Sequence, residues 1–108
     1  MPATETNNQL MCTAALAALE TVYDPEIGLN VVDLGLIYQI LFDDGANEIE
    51  CTMSLTTQFC PMGEAITAGV SETLAGAFPG YNVSIRLTFD PPWNYDRISE
   101  AGREFLKR

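Results

Sequence analysis

The sequence of 108 residues contains no histidine, no Cys-x-x-Cys pair and no long apolar run. The absence of histidine excludes Cys–His and Ser–His catalysis and any histidine metal ligand. Without a Cys-x-x-Cys pair, neither a thioredoxin-type redox centre nor a structural zinc site is indicated. No apolar run approaches the roughly 20 residues that a membrane-spanning helix needs, so we expect no membrane partner.

Basic residues are also nearly absent from most of the chain. Residues 1–85 carry eleven acidic side chains and no Lys or Arg, and the whole sequence has a formal net charge of −10. Such a surface repels nucleic-acid phosphates, so we expect no nucleic acid partner. The N-terminal residues lack the basic segment of a secretory signal, and the cysteine count is odd. These features predict a cytoplasmic protein with reduced thiols.

The periodic segments predict a single α+β domain over residues 1–108, in which residues 1–6 form a loose tail. A first helix, capped by Thr6, Asn7 or Asn8, is expected to run to about Tyr23. The length of the chain is sufficient for one hydrophobic core.

Three strands are predicted after that helix. Segments 36–42 and 48–55 flank an Asp-Gly turn, which indicates an antiparallel hairpin. A helix after residue 60 and a strand over residues 83–89 complete a β-α-β unit, so its two strands should be parallel. The order α-β-β-α-β-α therefore predicts a small mixed three-stranded sheet with helices packed on one side.

Cys60 lies where the strand pattern gives way to a helical pattern. Pro61 suits the first helical position, which places Cys60 at or beside the helix N-cap. There, unpaired backbone N–H groups and the positive end of the helix dipole favour a thiolate. The hydroxyl groups of Thr56 and Thr57 precede it and could hold an anion or a bound sulfide. The alternative is an unreactive, half-buried cap.

Three kinds of thiol chemistry compete as roles for Cys60. A thiol hydrolase needs a base, and carboxylates are weak bases for thiols. A redox protein needs a resolving thiol, whereas Cys12 and Cys51 both fall on core patterns. A transient iron or iron–sulfur ligand needs only a thiolate. Clusters usually take four ligands, so a second copy of the chain or a client protein would supply the others.

Two further segments are candidate sites. Asp24, Glu26 and Asp33 place three carboxylates within ten residues. They either make turn and cap hydrogen bonds or form a carboxylate cluster beside Cys60, which could bind a cation or raise the pKa of the thiol. Trp93 follows two prolines and is either a lid on the core or an exposed anchor for a partner protein.

The chain resembles the SufT/PaaD-like family of metal–sulfur cluster assembly proteins over nearly its whole length. Three blocks carry the resemblance: VYDPEIG (22–28) with VDLGLIY (32–38), LTT (55–57) with CPM (60–62), and FDPPW (89–93) with SEA (99–101). Gly28 and the LTT spelling favour a SufT-like member over one tied to phenylacetate oxygenation. Gln58-Phe59 departs from the family, in which Pro-Gly is common at this place.

The resemblance implies a compact α+β domain that helps to mature iron–sulfur proteins and is not an enzyme. It implies that Cys60 is the characteristic cysteine, a transient ligand of iron or a cluster, and that residues 24–26 are the acidic loop. Client and scaffold proteins are then the expected partners. A homodimer formed through a sheet edge is a further expectation. The alternatives are an interaction adaptor in which Cys60 is only a cap, and a thiol-redox protein.

Overall fold

The computed structural model of the protein describes residues 4–107. It contains three helices, six short strands and one 3-10 turn within those residues. The helices are α1 (Gln9–Leu19), α2 (Gly63–Ala77) and α3 (Glu100–Leu106). The strands are β1 (Glu5–Thr6), β2 (Tyr23–Asp24), β3 (Leu29–Asn30), β4 (Ile37–Asp43), β5 (Glu48–Met53) and β6 (Asn82–Leu87). The 3-10 turn spans Tyr95–Arg97.

The main sheet has the strand order β1-β4-β5-β6, and β2 and β3 form a separate two-stranded ribbon. Strands β4 and β5 are antiparallel, and β5 and β6 are parallel, as predicted. The hairpin turn is fixed by Asp43, whose Oδ1 accepts a hydrogen bond from the Ala46 N–H at 3.0 Å. Asn47 takes the positive φ of 53° that closes the turn. The α+β class and the mixed sheet are thus confirmed.

The predicted loose tail is wrong for the residues that form β1. This strand pairs in parallel with β4 and adds a fourth strand to the predicted three. Asn7 fastens it, because its Nδ2 donates to the Phe42 carbonyl at 2.8 Å and its Oδ1 accepts from the Phe42 N–H at 2.9 Å. A two-residue strand is too short to show a period in the sequence. The rest of the tail prediction, residues 1–3, lies outside the described residues.

Helices α1 and α2 cover one face of the sheet and share one hydrophobic core with it. Cys12 and Cys51 both lie in that core, as predicted. Burial raises the pKa of the Cys51 thiol to about 12, and the nearby Cys12 thiol adds to the effect. Along β5, residues facing the helices are buried and alternate with more exposed residues on the opposite face. Within residues 4–107, the other face of the sheet is therefore free of helices.

Helix α1 begins as predicted and ends earlier. Asn8 is its N-cap, and its Oδ1 accepts a hydrogen bond from the Met11 N–H at 3.1 Å. The helix ends at Leu19 instead of Tyr23, because Tyr23 pairs with Asn30 in the β2–β3 ribbon. Pairing over a short loop therefore replaces the last predicted helical turn.

Candidate functional site

Cys60 lies in the loop that joins β5 to α2, and it precedes the helix by more than predicted. The N-cap is Met62, and the first helical residue is Gly63. The Gly63 N–H donates to the Cys60 carbonyl at 3.1 Å, which closes a turn before the helix starts. The prediction that Pro61 opens the helix is therefore wrong by two positions, and Cys60 lies two residues before the cap instead of at or beside it. The cap residue also has no side-chain hydrogen bond.

Gly63 sets how closely the loop approaches the core. An added Cβ there would lie 2.8 Å from Leu55 Cδ1 and 4.0 Å from Cys60 Cβ. Leu55 is buried, whereas Cys60 is half-buried and rests against the core. The missing side chain thus lets the first turn of α2 pack on Leu55 and keeps Cys60 beside it. The thiol is neither sealed in the core nor fully exposed.

Exposed apolar side chains flank the thiol. Phe59 is 87% exposed, and Met62 is 38% exposed. The sequence identified Phe59 only as a departure from the family pattern. Its exposure could not be read from periodicity, because loop residues have none. A large exposed apolar side chain of this kind is typical of a contact surface when others lie next to it.

The two predicted threonines have different environments. The Thr57 hydroxyl oxygen accepts a hydrogen bond from the Phe59 N–H at 3.3 Å, so it shapes the loop locally. Such side-chain-to-backbone bonds are typical of Ser/Thr turns. Thr56 is half-buried and lies three residues after the end of β5. Both residues lie in the same short loop as Cys60, and their role toward a bound anion or sulfide stays a prediction.

Asp24 makes the turn bonds that the sequence offered as one of two interpretations. It is only 1% exposed, and its Oδ1 accepts from the Glu26 N–H at 2.9 Å. The Asp24 carbonyl also accepts from the Gly28 N–H at 2.8 Å, and Gly28 has a φ of 84°. The side chain of Glu26 is exposed. The DPEIG segment is therefore a tight turn with one buried and one exposed carboxylate.

Asp33 joins this part of the chain to the last helix. Its Oδ1 accepts from the Ser99 hydroxyl at 2.8 Å, and its Oδ2 accepts from the Asn30 amide at 2.8 Å. Ser99 is the N-cap of α3. Both carboxylate oxygens of Asp33 are thus used in holding the fold.

The described part of one chain does not form a complete metal site. Within residues 4–107, no group of three or more His, Cys, Asp and Glu side chains is placed to hold a metal ion. Cys60, Asp24, Glu26 and Asp33 all lie in that range, so they do not form such a group together. A cation at these carboxylates would therefore need further ligands from outside the chain, and the carboxylate cluster stays a prediction.

Trp93 has the position of a lid on the core. Its ring is half-buried against the core residues, and its indole N–H donates to the Leu34 carbonyl. The neighbouring Tyr95 is 72% exposed, and the centroids of the two rings are 5.5 Å apart. A partner-binding role for Trp93 stays a prediction.

Comparison with known proteins identifies the family of this chain. A family model described as "Iron-sulfur cluster assembly protein" matches residues 13–86. The chain belongs to this family. A protein of Porphyromonas gingivalis named Fe-S protein maturation auxiliary factor is 42% identical over 97 residues, which cover 87% of this chain and 90% of that protein. Fe-S protein maturation auxiliary factor SufT of Staphylococcus aureus is 39% identical over 84 residues, covering 76% and 92%.

The fold agrees with this membership. A crystal structure of a domain of unknown function, DUF59, from Bacillus anthracis superposes with a TM-score of 0.85 at 31% identity, over 92% of this chain and 93% of that one. The family match and the named relatives confirm the SufT-like resemblance seen in the sequence. Among residues 4–107, no helix has the length and apolar character needed to cross a bilayer.

Proposed function

We propose that this family member is an accessory factor that carries iron or an iron–sulfur cluster to client proteins, with Cys60 as the transient ligand. The observation that carries the proposal is the contrast among the three cysteines. Cys12 and Cys51 are buried in the core, and Cys60 alone lies partly open at the surface. A ligand that receives and releases cargo has to be reachable, and a thiolate suits iron.

The proposal requires ligands from outside the chain. One thiolate holds a cluster only weakly, so a scaffold, a client or a second copy has to complete the set of ligands. Thr56 and Thr57 lie in the loop that presents Cys60, whereas the hydrogen bonds of Asp24 and Asp33 hold residues 24–33 and the start of α3 in place. The role is non-enzymatic and cytoplasmic in this proposal, and the cargo is held only during transfer.

Anaerobic reconstitution with iron and sulfide tests the role of the thiol. Cys60→Ser should lower iron uptake about tenfold or more, because serine is a poor ligand for iron in such sites. It should also slow activation of an apo iron–sulfur enzyme. Cys12→Ala is the matched control, since it removes a thiol from the core and leaves Cys60 in place. Unchanged iron uptake and unchanged client activation in Cys60→Ser would contradict the proposal.

The exposed Phe59 favours a second candidate, an adaptor that docks a client without holding cargo. Phe59→Ser should then reduce client activation while Cys60→Ala retains it. Leu10→Ser is the matched control, because Leu10 is 83% exposed on α1, in a different element from the Cys60 loop. The adaptor proposal fails if Phe59→Ser activates the client as well as Leu10→Ser does.

A homodimer is proposed to form through β6. This strand is last in the sheet order, so within the described residues its outer edge has no partner strand. The charge of −10 on each copy opposes pairing, and salt screens that repulsion. Sedimentation should therefore show more dimer at higher ionic strength. A monomer at all salt and protein concentrations would exclude this arrangement.

A further inference from the structure

The helix-free face of the sheet carries a pocket that the proposed function does not use. It lies where this face meets the segment that follows β6, and its volume is about 420 Å³. Tyr38, Thr52, Arg86, Thr88 and Arg97 contribute to its lining. This volume is within the usual range of small-ligand sites. The pocket holds two of the five basic side chains of this acidic protein, Arg86 and Arg97.

Arg97 is held in place, and its terminal nitrogens make no hydrogen bond to any residue that the structure describes. Its Nε donates to the Gly35 carbonyl at 3.0 Å, and its guanidinium carbon lies 4.0 Å from the centroid of the Tyr38 ring. The Tyr38 hydroxyl in turn donates to the Pro91 carbonyl at 2.8 Å. Among residues 4–107, no carboxylate lies within ion-pair distance of Arg97. A fixed guanidinium with free terminal nitrogens is prepared to bind two oxygens of one anion.

Arg86 supplies a second, more mobile positive charge. Its ion pair with Glu50 spans 3.8 Å, and the two side chains are 74% and 44% exposed. Exposed pairs of this kind contribute little, so a ligand can compete for Arg86. Thr52 adds a hydroxyl from the neighbouring strand β5, because it is the register partner of Arg86.

Two acidic side chains in the lining limit what the pocket accepts. Glu5 and Asp90 also line it, and Glu5 Oε2 accepts from the Gln39 amide at 3.4 Å. The lining therefore has two positive and two negative side chains. A diffuse polyanion such as nucleic acid would meet these carboxylates and the acidic remainder of the chain. A compact anion brings fewer charges to the two carboxylates, and the two arginines can hold it together.

We propose that this pocket binds a small oxyanion-bearing ligand, either an organic carboxylate or a phosphate ester. Arg97 makes the oriented contact, and Arg86 and Thr52 close on the ligand from the strands. The site is separate from Cys60, and its existence does not depend on the proposed function.

Titration of the full ¹⁵N-labelled chain with citrate and with inorganic phosphate tests this site. Ionic strength is held constant with chloride, and both backbone and Arg Nε–H resonances are followed by NMR. Saturable shifts are expected at Arg97, Thr52 and Thr88. Arg86→Gln should weaken binding about tenfold, the effect of losing one hydrogen bond to a charged group. Lys107→Gln, which removes the same charge outside this pocket, should leave the affinity unchanged.

Each outcome decides the proposal. Saturation by citrate alone assigns a carboxylate ligand, saturation by phosphate alone assigns a phosphate ester, and saturation by both assigns a general oxyanion site. Shifts that stay linear, that chloride reproduces, or that Arg86→Gln leaves unaltered would overturn it. Because Arg97 also supports the fold through Gly35, Thr52→Val is the second variant, and it should weaken binding without unfolding the chain.

Discussion

Alanine at Gly35 should destabilise the fold far more than alanine at Gly80. Both glycines have positive φ, 73° at Gly35 and 92° at Gly80. An alanine in this region of backbone conformation costs about 1–2 kcal/mol relative to glycine. That cost is common to the two positions. The difference between the two losses in free energy of unfolding therefore reports the atoms around each glycine.

The surroundings differ sharply. A Cβ on Gly35 would lie 2.2 Å from the Arg97 carbonyl oxygen and 2.7 Å from Arg97 Cβ, whereas a Cβ on Gly80 meets nothing within 4 Å. Because the oxygen is part of the main chain, no change of rotamer relieves the overlap. Such overpacking adds about 1–3 kcal/mol. We therefore expect a loss of about 1–2 kcal/mol for Gly80→Ala and about 2–5 kcal/mol for Gly35→Ala.

Urea denaturation measures both losses. The single tryptophan, Trp93, reports unfolding by fluorescence, and its indole donates to the carbonyl of Leu34 next to Gly35. Far-UV circular dichroism provides a second probe that does not depend on this ring. Equal losses at the two glycines would refute the reasoning, because they would mean that the segment carrying Arg97 moves away at little cost.

Three further predictions concern stability. Gly76→Ala in α2 should raise the free energy of unfolding by about 0.5–1 kcal/mol, because nothing lies within 4 Å of the added Cβ. Gly63→Ala should give no such gain, since the added Cβ would lie 2.8 Å from Leu55 Cδ1. A gain at both positions in thermal denaturation would contradict this. Ser99→Ala should cost about 1 kcal/mol, since it removes the cap of α3, and an unchanged urea midpoint would contradict the assignment. Folded Cys51, whose pKa is about 12, keeps its proton at pH values where the unfolded thiol ionises. Cys51 should therefore contribute a fall in stability of at most about 1.4 kcal/mol per pH unit above about pH 8.5, and Cys51→Ala should show a shallower slope.

The elements that the sequence predicted correctly are those whose signals are local and periodic. The alternation in β5 placed Cys51 in the core, and the Asp-Gly turn placed the hairpin. The predictions failed where a long-range pairing decided the secondary structure. Strand β1 exists because Asn7 bonds Phe42, a residue 35 positions away. Helix α1 stops early because Tyr23 has a strand partner.

The surroundings of the candidate sites were harder to predict for the same reason. Asp33 bonds Ser99 across 66 positions, and Arg97 bonds Gly35 across 62. Neither pair has a spacing that a period can reveal, so the pocket on the open face was not visible in the sequence. By contrast, the side-chain bond of Asp24 spans only two residues. Known turn chemistry predicts such a bond, and it was one of the two interpretations of Asp24.

The position of Cys60 changes the physical basis of the proposed function. The argument from the helix dipole weakens, because that effect falls off within the first turn and Cys60 precedes the N-cap by two residues. The remaining basis is that the Cys60 thiol can be reached from the surface. Strand β5 and the Gly63–Leu55 contact fix the two ends of the loop, and the half-buried thiol lies between them beside exposed Phe59. A resident cluster would need a closed set of ligands, whereas a carrier needs one reachable ligand and a surface on which the next protein can supply the others.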